Sequence, residues 1–170
     1  MRTSEDTETD PDNLIRLGTI AAVDLIAARC VVELAEGVES GPVRWIESRM
    51  GGTRVWSPPS IGEQVVLLCP AGEIGAGVVL RGLISEAFAA PDNRAIDLIE
   101  FSDGAIFSYD PAAHALSITL PAGGTAAIIG DVHVTGTLTA TVDVVGGGKS
   151  LKGHTHGGVQ AGSAQTGTPV

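Results

Sequence analysis

The chain has 170 residues, 44% of them hydrophobic, which is room for one ordinary domain with an appendage and too apolar for a disordered polymer. A formal net charge of -10 runs against nucleic-acid binding, because affinity for phosphates needs a positive field. No stretch reaches the roughly 20 apolar residues of a membrane-spanning helix, and the opening MRTSEDTETD is polar and acidic where a secretory signal is basic and then apolar, so synthesis in a cytoplasm is expected.

In chain order, Glu5, Asp6, Glu8, Asp10 and Asp12 crowd residues 1–12, which read as a flexible acidic tail. Residues 13–88 read as short strands with turn punctuation: 14–24, 29–34, 43–47, 53–56, 63–69 and 78–84, with turns at Ser57-Pro58-Pro59 and Pro70-Ala71-Gly72-Glu73. Short strands at this spacing, without an amphipathic helix, predict a small all-β barrel, an OB-fold or its nearest rival, an SH3-like barrel. Cys30 and Cys69 lie in apolar runs and read as reduced core residues. Residues 89–120 form a connector followed by a hairpin over 100–109 with Asp103-Gly104 as its turn, then a strand on which Leu116, Ile118 and Leu120 share a face.

No aromatic residue follows Tyr109, so the C-terminal part needs partners or a repetitive, close-packed form to offset its chain entropy. Residues 121–152 hold the most regular pattern. From Asp131 to Val144, Val132, Val134, Gly136, Leu138, Ala140, Val142 and Val144 alternate with His133 and a series of threonines. This period of two predicts an extended strand, roughly 45 Å long at about 3.3 Å per residue. Three such strands wound about one axis would satisfy their backbones and leave no long free edge, with the even register inside; a strand in an ordinary sheet is the alternative. His133 falls on the outward register and His114 in a turn, so both read as solvent-exposed.

Residues 153–170 begin Gly153-His154-Thr155-His156-Gly157-Gly158-Val159-Gln160. In an extended strand His154 and His156 present both imidazoles to one side. Around a three-fold axis the pair becomes six neutral nitrogens, a set that points to iron, with nickel or cobalt next, since zinc favours four ligands.

These residues carry a resemblance. His154-Thr155-His156-Gly157-Gly158-Val159-Gln160, followed by Gly162, Thr166 and Pro169, is similar to the tip signature of the phage baseplate assembly protein V family, the central spikes of contractile tails. Arg16-Leu17-Gly18-Thr19-Ile20 and the run from Trp56 to Val65 resemble that family's N-terminal barrel. The resemblance implies an OB-fold docking domain over 13–88, a trimeric intertwined β-helix over 121–152 and a pointed apex over 153–170. It implies one iron per homotrimer, held by His154 and His156 of each chain, with axial chloride or calcium in related tips. Further implications are tail hub or baseplate proteins as partners through the barrel, a place in the virion tail after synthesis in the host cytoplasm, and passage through the host outer membrane on sheath contraction.

An enzyme is not expected. A catalytic metal keeps an open position, six histidines leave none, and no carboxylate lies near the motif to act as base. The alternative is a metal-dependent enzyme on a trimeric β-helix. A nucleic-acid role for the barrel would use Trp45 and Trp56 as stacking platforms in a basic groove, against the acidity of the chain; both are read as core.

Overall fold

A computed structural model describes residues 13–155, 157–158 and 162. The acidic tail over 1–12, His156 and most of the apex lie outside the described residues. The chain divides after Pro121 into two units, each taken by itself below.

Five strands build the first sheet: β1 (Ile15–Asp24), β2 (Arg29–Glu33), β3 (Arg44–Trp45), β4 (Gln64–Leu68) and β5 (Val78–Leu80). Their order is β2-β1-β4-β5-β3. Three of the four pairings are antiparallel, but β3 runs parallel to β5 through Arg44↔Val78 and Trp45↔Val79. Two backbone bonds between Cys30 and Val43, 3.0 and 2.9 Å, then bring β2 against the entry to β3. The ring nearly closes in the cyclic order 1-2-3-5-4-1, which is the OB-fold and not the SH3-like arrangement.

Alternation makes the core. Cys30, Val32 and Leu34 along one strand, and Val65, Leu67 and Cys69 along another, point inward, where they join Ile20, Val43 and Val79. Both cysteines are free and buried, and burial raises their thiol pKa values, as inert core positions require. At Gly18 the walls touch: a Cβ there would lie 2.7 Å from the Glu33 carbonyl oxygen and collide with Val32. A bulge at Ala21 shifts the β1–β2 register between Ile20 and Ala22 and bends the strand round the barrel.

Residues 53–56 are not a strand. Apart from one bridge, Met50↔Arg54, and the Ile46 N–H bond to the Val79 carbonyl (2.9 Å), the 46–57 segment is held by side chains. Glu47 accepts from the Trp45 indole N–H (2.9 Å), the Ser57 N–H (3.0 Å) and Arg81 Nη2 (2.8 Å). Arg81 also donates to the carbonyls of Ile46 and Ser57. The expected strand over 78–84 stops at Leu80, before Gly82 turns with φ +92°.

A second sheet follows, with β6 (Asp97–Glu100), β7 (Ile106–Asp110) and β8 (Ala115–Thr119) in that order. The hairpin is therefore wider than 100–109. The expected turn holds: Gly104 has φ +86° and Asp103 caps the Ala105 N–H, but the first arm draws on residues assigned to the connector.

In the second unit, residues 122–144 make no ladder within the chain among the described residues. Both registers of the 131–144 segment are exposed in one chain, Leu138 at 72% and Val142 at 77%, so the inward assignment of the even register rests on its alternation. A small hairpin of β9 (Val145–Gly146) and β10 (Lys149–Ser150) succeeds it. Its turn is Gly147-Gly148, with φ +55° and +76°, the left-handed pair that a two-residue hairpin of this hand requires.

Candidate functional site

Two features stand out as functional surfaces, and the first is the sheet β6–β7–β8. Opposed residues share a face, so Ile99, Phe107 and Ile118 form one cross-strand row, and Tyr109 and Leu116 belong to the next. Phe101 extends the patch, its ring edge-on to Phe107 at 5.8 Å. The other face carries Leu98, Ser108 and Ser117 in one row and Glu100, Ile106 and Thr119 in the next. The first face is the more apolar, with Asp97 at its margin, and it is open: Ile99, Ile118 and Leu116 are 61%, 52% and 71% exposed. A contiguous apolar face of this kind marks a surface that another chain covers.

The second feature is the hairpin that leads to His154. Asp143 lies just before β9 and reaches across the turn, accepting from Val144 N–H (2.8 Å) and Lys152 N–H (3.1 Å). The Ser150 hydroxyl first, and the Lys152 amide next, hold the Asp143 carboxyl below the usual carboxylate range. Ser150 serves the other side too, its Oγ accepting from Gly153 N–H at 2.7 Å. Leu151 N–H closes on the Val144 carbonyl at 2.8 Å. Asp143 and Val144 are thereby drawn together with residues 150–153 into one compact knot.

His154 emerges from that knot rather than from a continuous strand. Residues 151–153 turn, and the His154 amide binds the Ser150 carbonyl at 3.1 Å. Its Nδ1 lies 3.1 Å from Ser150 O and 3.0 Å from Leu151 O. Carbonyl oxygens only accept, so a neutral ring carries its proton on Nδ1, and Nε2 holds the lone pair. The two backbone carbonyls thus fix the orientation of the ring. The turn ends at Gly153, before the motif itself, and the other motif histidine, His156, lies outside the described residues. Among the described residues no three His, Cys, Asp or Glu side chains come together, so one chain holds no complete cage there.

Sequence reasoning missed the Asp143–Ser150 clamp. Its signal is an Asp and a Ser flanking a Gly-Gly turn, readable only once the hairpin is assumed. It also missed the Glu47–Arg81 pair, whose partners are 34 residues apart. His133 and His114 are exposed, the latter with φ +52° in its turn.

Comparison with known proteins matches each region separately. Residues 16–83 match the model described as the type VI secretion system/phage-baseplate injector OB domain. Residues 97–163 match the model described as Gp138, beta helical trimerization domain, which takes in both the open apolar sheet and the hairpin. The chain is also similar to the spike protein of Escherichia phage P2, 37% identical over 134 residues. That alignment spans 78% of this chain and 60% of the length of the relative.

Proposed function

We propose that the chain is the central spike of a contractile phage-type tail, from the pairing of residues 16–83, which match the baseplate injector OB domain, with residues 97–163, which match the Gp138 trimerization domain. The observation that carries the reading is an injector barrel followed, in one chain, by a trimerization segment whose apolar sheet face is open. Three chains close that face, and the alternating segment from Val132 to Val144 buries its even register against two copies of itself. The barrel docks beneath the tail hub. The opposite end of the chain passes the host outer membrane when the sheath contracts. A tip with no acidic residue after Asp143 suits that passage, because burying charge in lipid is costly.

At the apex, His154 and His156 of three chains hold one iron through six imidazole nitrogens. The carbonyl-bound Nδ1 of His154 supports this role, since it fixes the donor nitrogen before any metal arrives. When bound, the ion crosslinks three chain ends that would otherwise fray. The role is structural: full ligation leaves no position for a substrate.

Native mass measurement with elemental analysis tests the reading. A homotrimer with one iron per three chains is expected, and replacing His154 and His156 together with alanine removes the metal while the barrel stays folded. A monomer at micromolar concentration would sink the spike assignment, and one metal per chain would overturn the six-histidine cage.

A further inference from the structure

The barrel carries a cleft that the spike reading does not use. A cavity of about 540 Å³ opens between the β1–β2 turn, the start of β3 and the 46–57 segment. Its apolar wall is Trp45, Trp56 and Met50, the two indoles 5.5 Å apart and tilted by 49°. Around it stand Arg29, Arg44 and Arg54. Among the described residues none of the three pairs with a carboxylate. The one acid on the wall, Glu47, is already engaged by Arg81, Trp45 and Ser57. A protein of net charge -10 thus keeps three unneutralised guanidinium groups round an aromatic cleft. Guanidinium groups bind carboxylates in pairs of parallel hydrogen bonds, and they also stack on indoles.

We propose that this cleft seats the acidic segment of the same chain, residues 5–12, with the carboxylates of Glu5, Asp6, Glu8, Asp10 and Asp12 against Arg29, Arg44 and Arg54. Charge complementarity is the first reason: the densest run of acid in the sequence faces a cluster of cations that lacks one. Reach is the second. Ile15 pairs with Leu68, Leu68 with Val78, and Val78 with Arg44, so three strand spacings separate the start of β1 from the cleft. At about 4.8 Å each this is roughly 14 Å. At about 3.3 Å per residue, Asp10 to Glu5 lie roughly 15–33 Å of chain from Ile15, enough to arrive and lie along the site. Tethering then raises the local concentration of the segment to the order of millimolar, so that weak exposed ion pairs suffice. The inference stands apart from the spike reading and survives its failure.

Trp45 and Trp56 are the only tryptophans in the chain, so intrinsic fluorescence reports on this cleft alone. The test compares full-length protein with a variant in which Glu5, Asp6, Glu8, Asp10 and Asp12 become the corresponding amides. Expected are a red-shifted emission and easier acrylamide quenching in the variant, and the same change in wild type on raising salt to about 1 M, where screening falls to ~3 Å. A peptide of residues 1–12, added to the variant at low salt, should restore the wild-type signal. The double variant Arg44→Ser with Arg54→Ser, checked for folding by circular dichroism, should match the tail variant and ignore the peptide. Equal emission and quenching in wild type and tail variant at low salt would overturn the proposal. So would protection that follows protein concentration and not tail charge, which would assign the cleft to a second copy.

Discussion

Replacing Arg81 with methionine keeps most of the aliphatic volume and removes the charge that faces Glu47. The Glu47 side chain is 3% exposed and that of Arg81 17%, so the pair is part-buried, with its carboxylate end shielded. In the variant, Oε2 loses its 2.8 Å bond, while Oε1 keeps the Trp45 indole and the Ser57 amide. The carbonyls of Ile46 and Ser57 lose a donor as well. Breaking a buried pair from one side costs about 3–5 kcal/mol, and the two surviving donors place this case at the low end, about 3 kcal/mol. For a barrel of this size that is a fall in melting temperature of roughly 15 °C. The pH dependence has a definite sign. Desolvation raises the Glu47 pKa, but hydrogen bonds from Ser57, Trp45 and Arg81 outweigh it, leaving a net value below 4.5. A depressed folded pKa contributes stability that is present above the unfolded value and is lost as pH falls through the folded one. In Arg81→Met the carboxyl is free to protonate, so the gap to wild type should be full at pH 7 and narrow below about pH 4.5. Urea unfolding at fixed protein concentration, followed by tryptophan emission, measures both. A loss under about 0.5 kcal/mol, the range of exposed pairs, refutes the burial argument, and an equal loss at pH 7 and in acid refutes the electrostatic one.

Gly18→Ala should cost about 1–3 kcal/mol or more in thermal unfolding, because its methyl group meets the Glu33 carbonyl and Val32, and the backbone cannot step aside as a flexible side chain would. Leu138→Asp should prevent trimer formation in sedimentation equilibrium, since each trimer buries three like charges, whereas Thr137→Asp should assemble normally; equal damage from both would show the register to be misassigned. Asp143→Ala should leave the barrel melt unchanged and lower iron content at limiting metal, by loosening the turn that orients His154. Unaltered metal affinity in that variant would show the clamp to be irrelevant to the tip.

The barrel was legible because alternation survives in one chain. Cys30, Val32 and Leu34, and Val65, Leu67 and Cys69, mark inward positions without any knowledge of partners. β3 shows the limit: only Arg44 and Trp45 pair in it, and the neighbouring 53–56 run looks like a strand but is fastened by Glu47 and Arg81. Side-chain fastening between residues 34 apart leaves no periodic trace. At the other end, Gly147 and Gly148 make a hairpin turn that the period-two pattern before them does not announce. The turn at 151–153 that leads into His154 is set by backbone and Ser150 hydrogen bonds, which leave no periodic trace in the sequence.

The open face of the β6–β8 sheet sets a hazard for every newly made chain. The barrel precedes it and closes on contacts of its own, so it can fold as soon as it leaves the ribosome. In the proposed trimer, Ile99, Phe107, Ile118 and Leu116 wait in water until two further copies arrive. Assembly is a bimolecular and then a further encounter, slow when the protein is scarce, and the sticky intermediate has time to capture other exposed strands. Dilute or slow expression should therefore yield chains with a native barrel and an aggregated C-terminal half, and yield per cell should rise more steeply than synthesis rate. The cell would do best to make this protein in a burst.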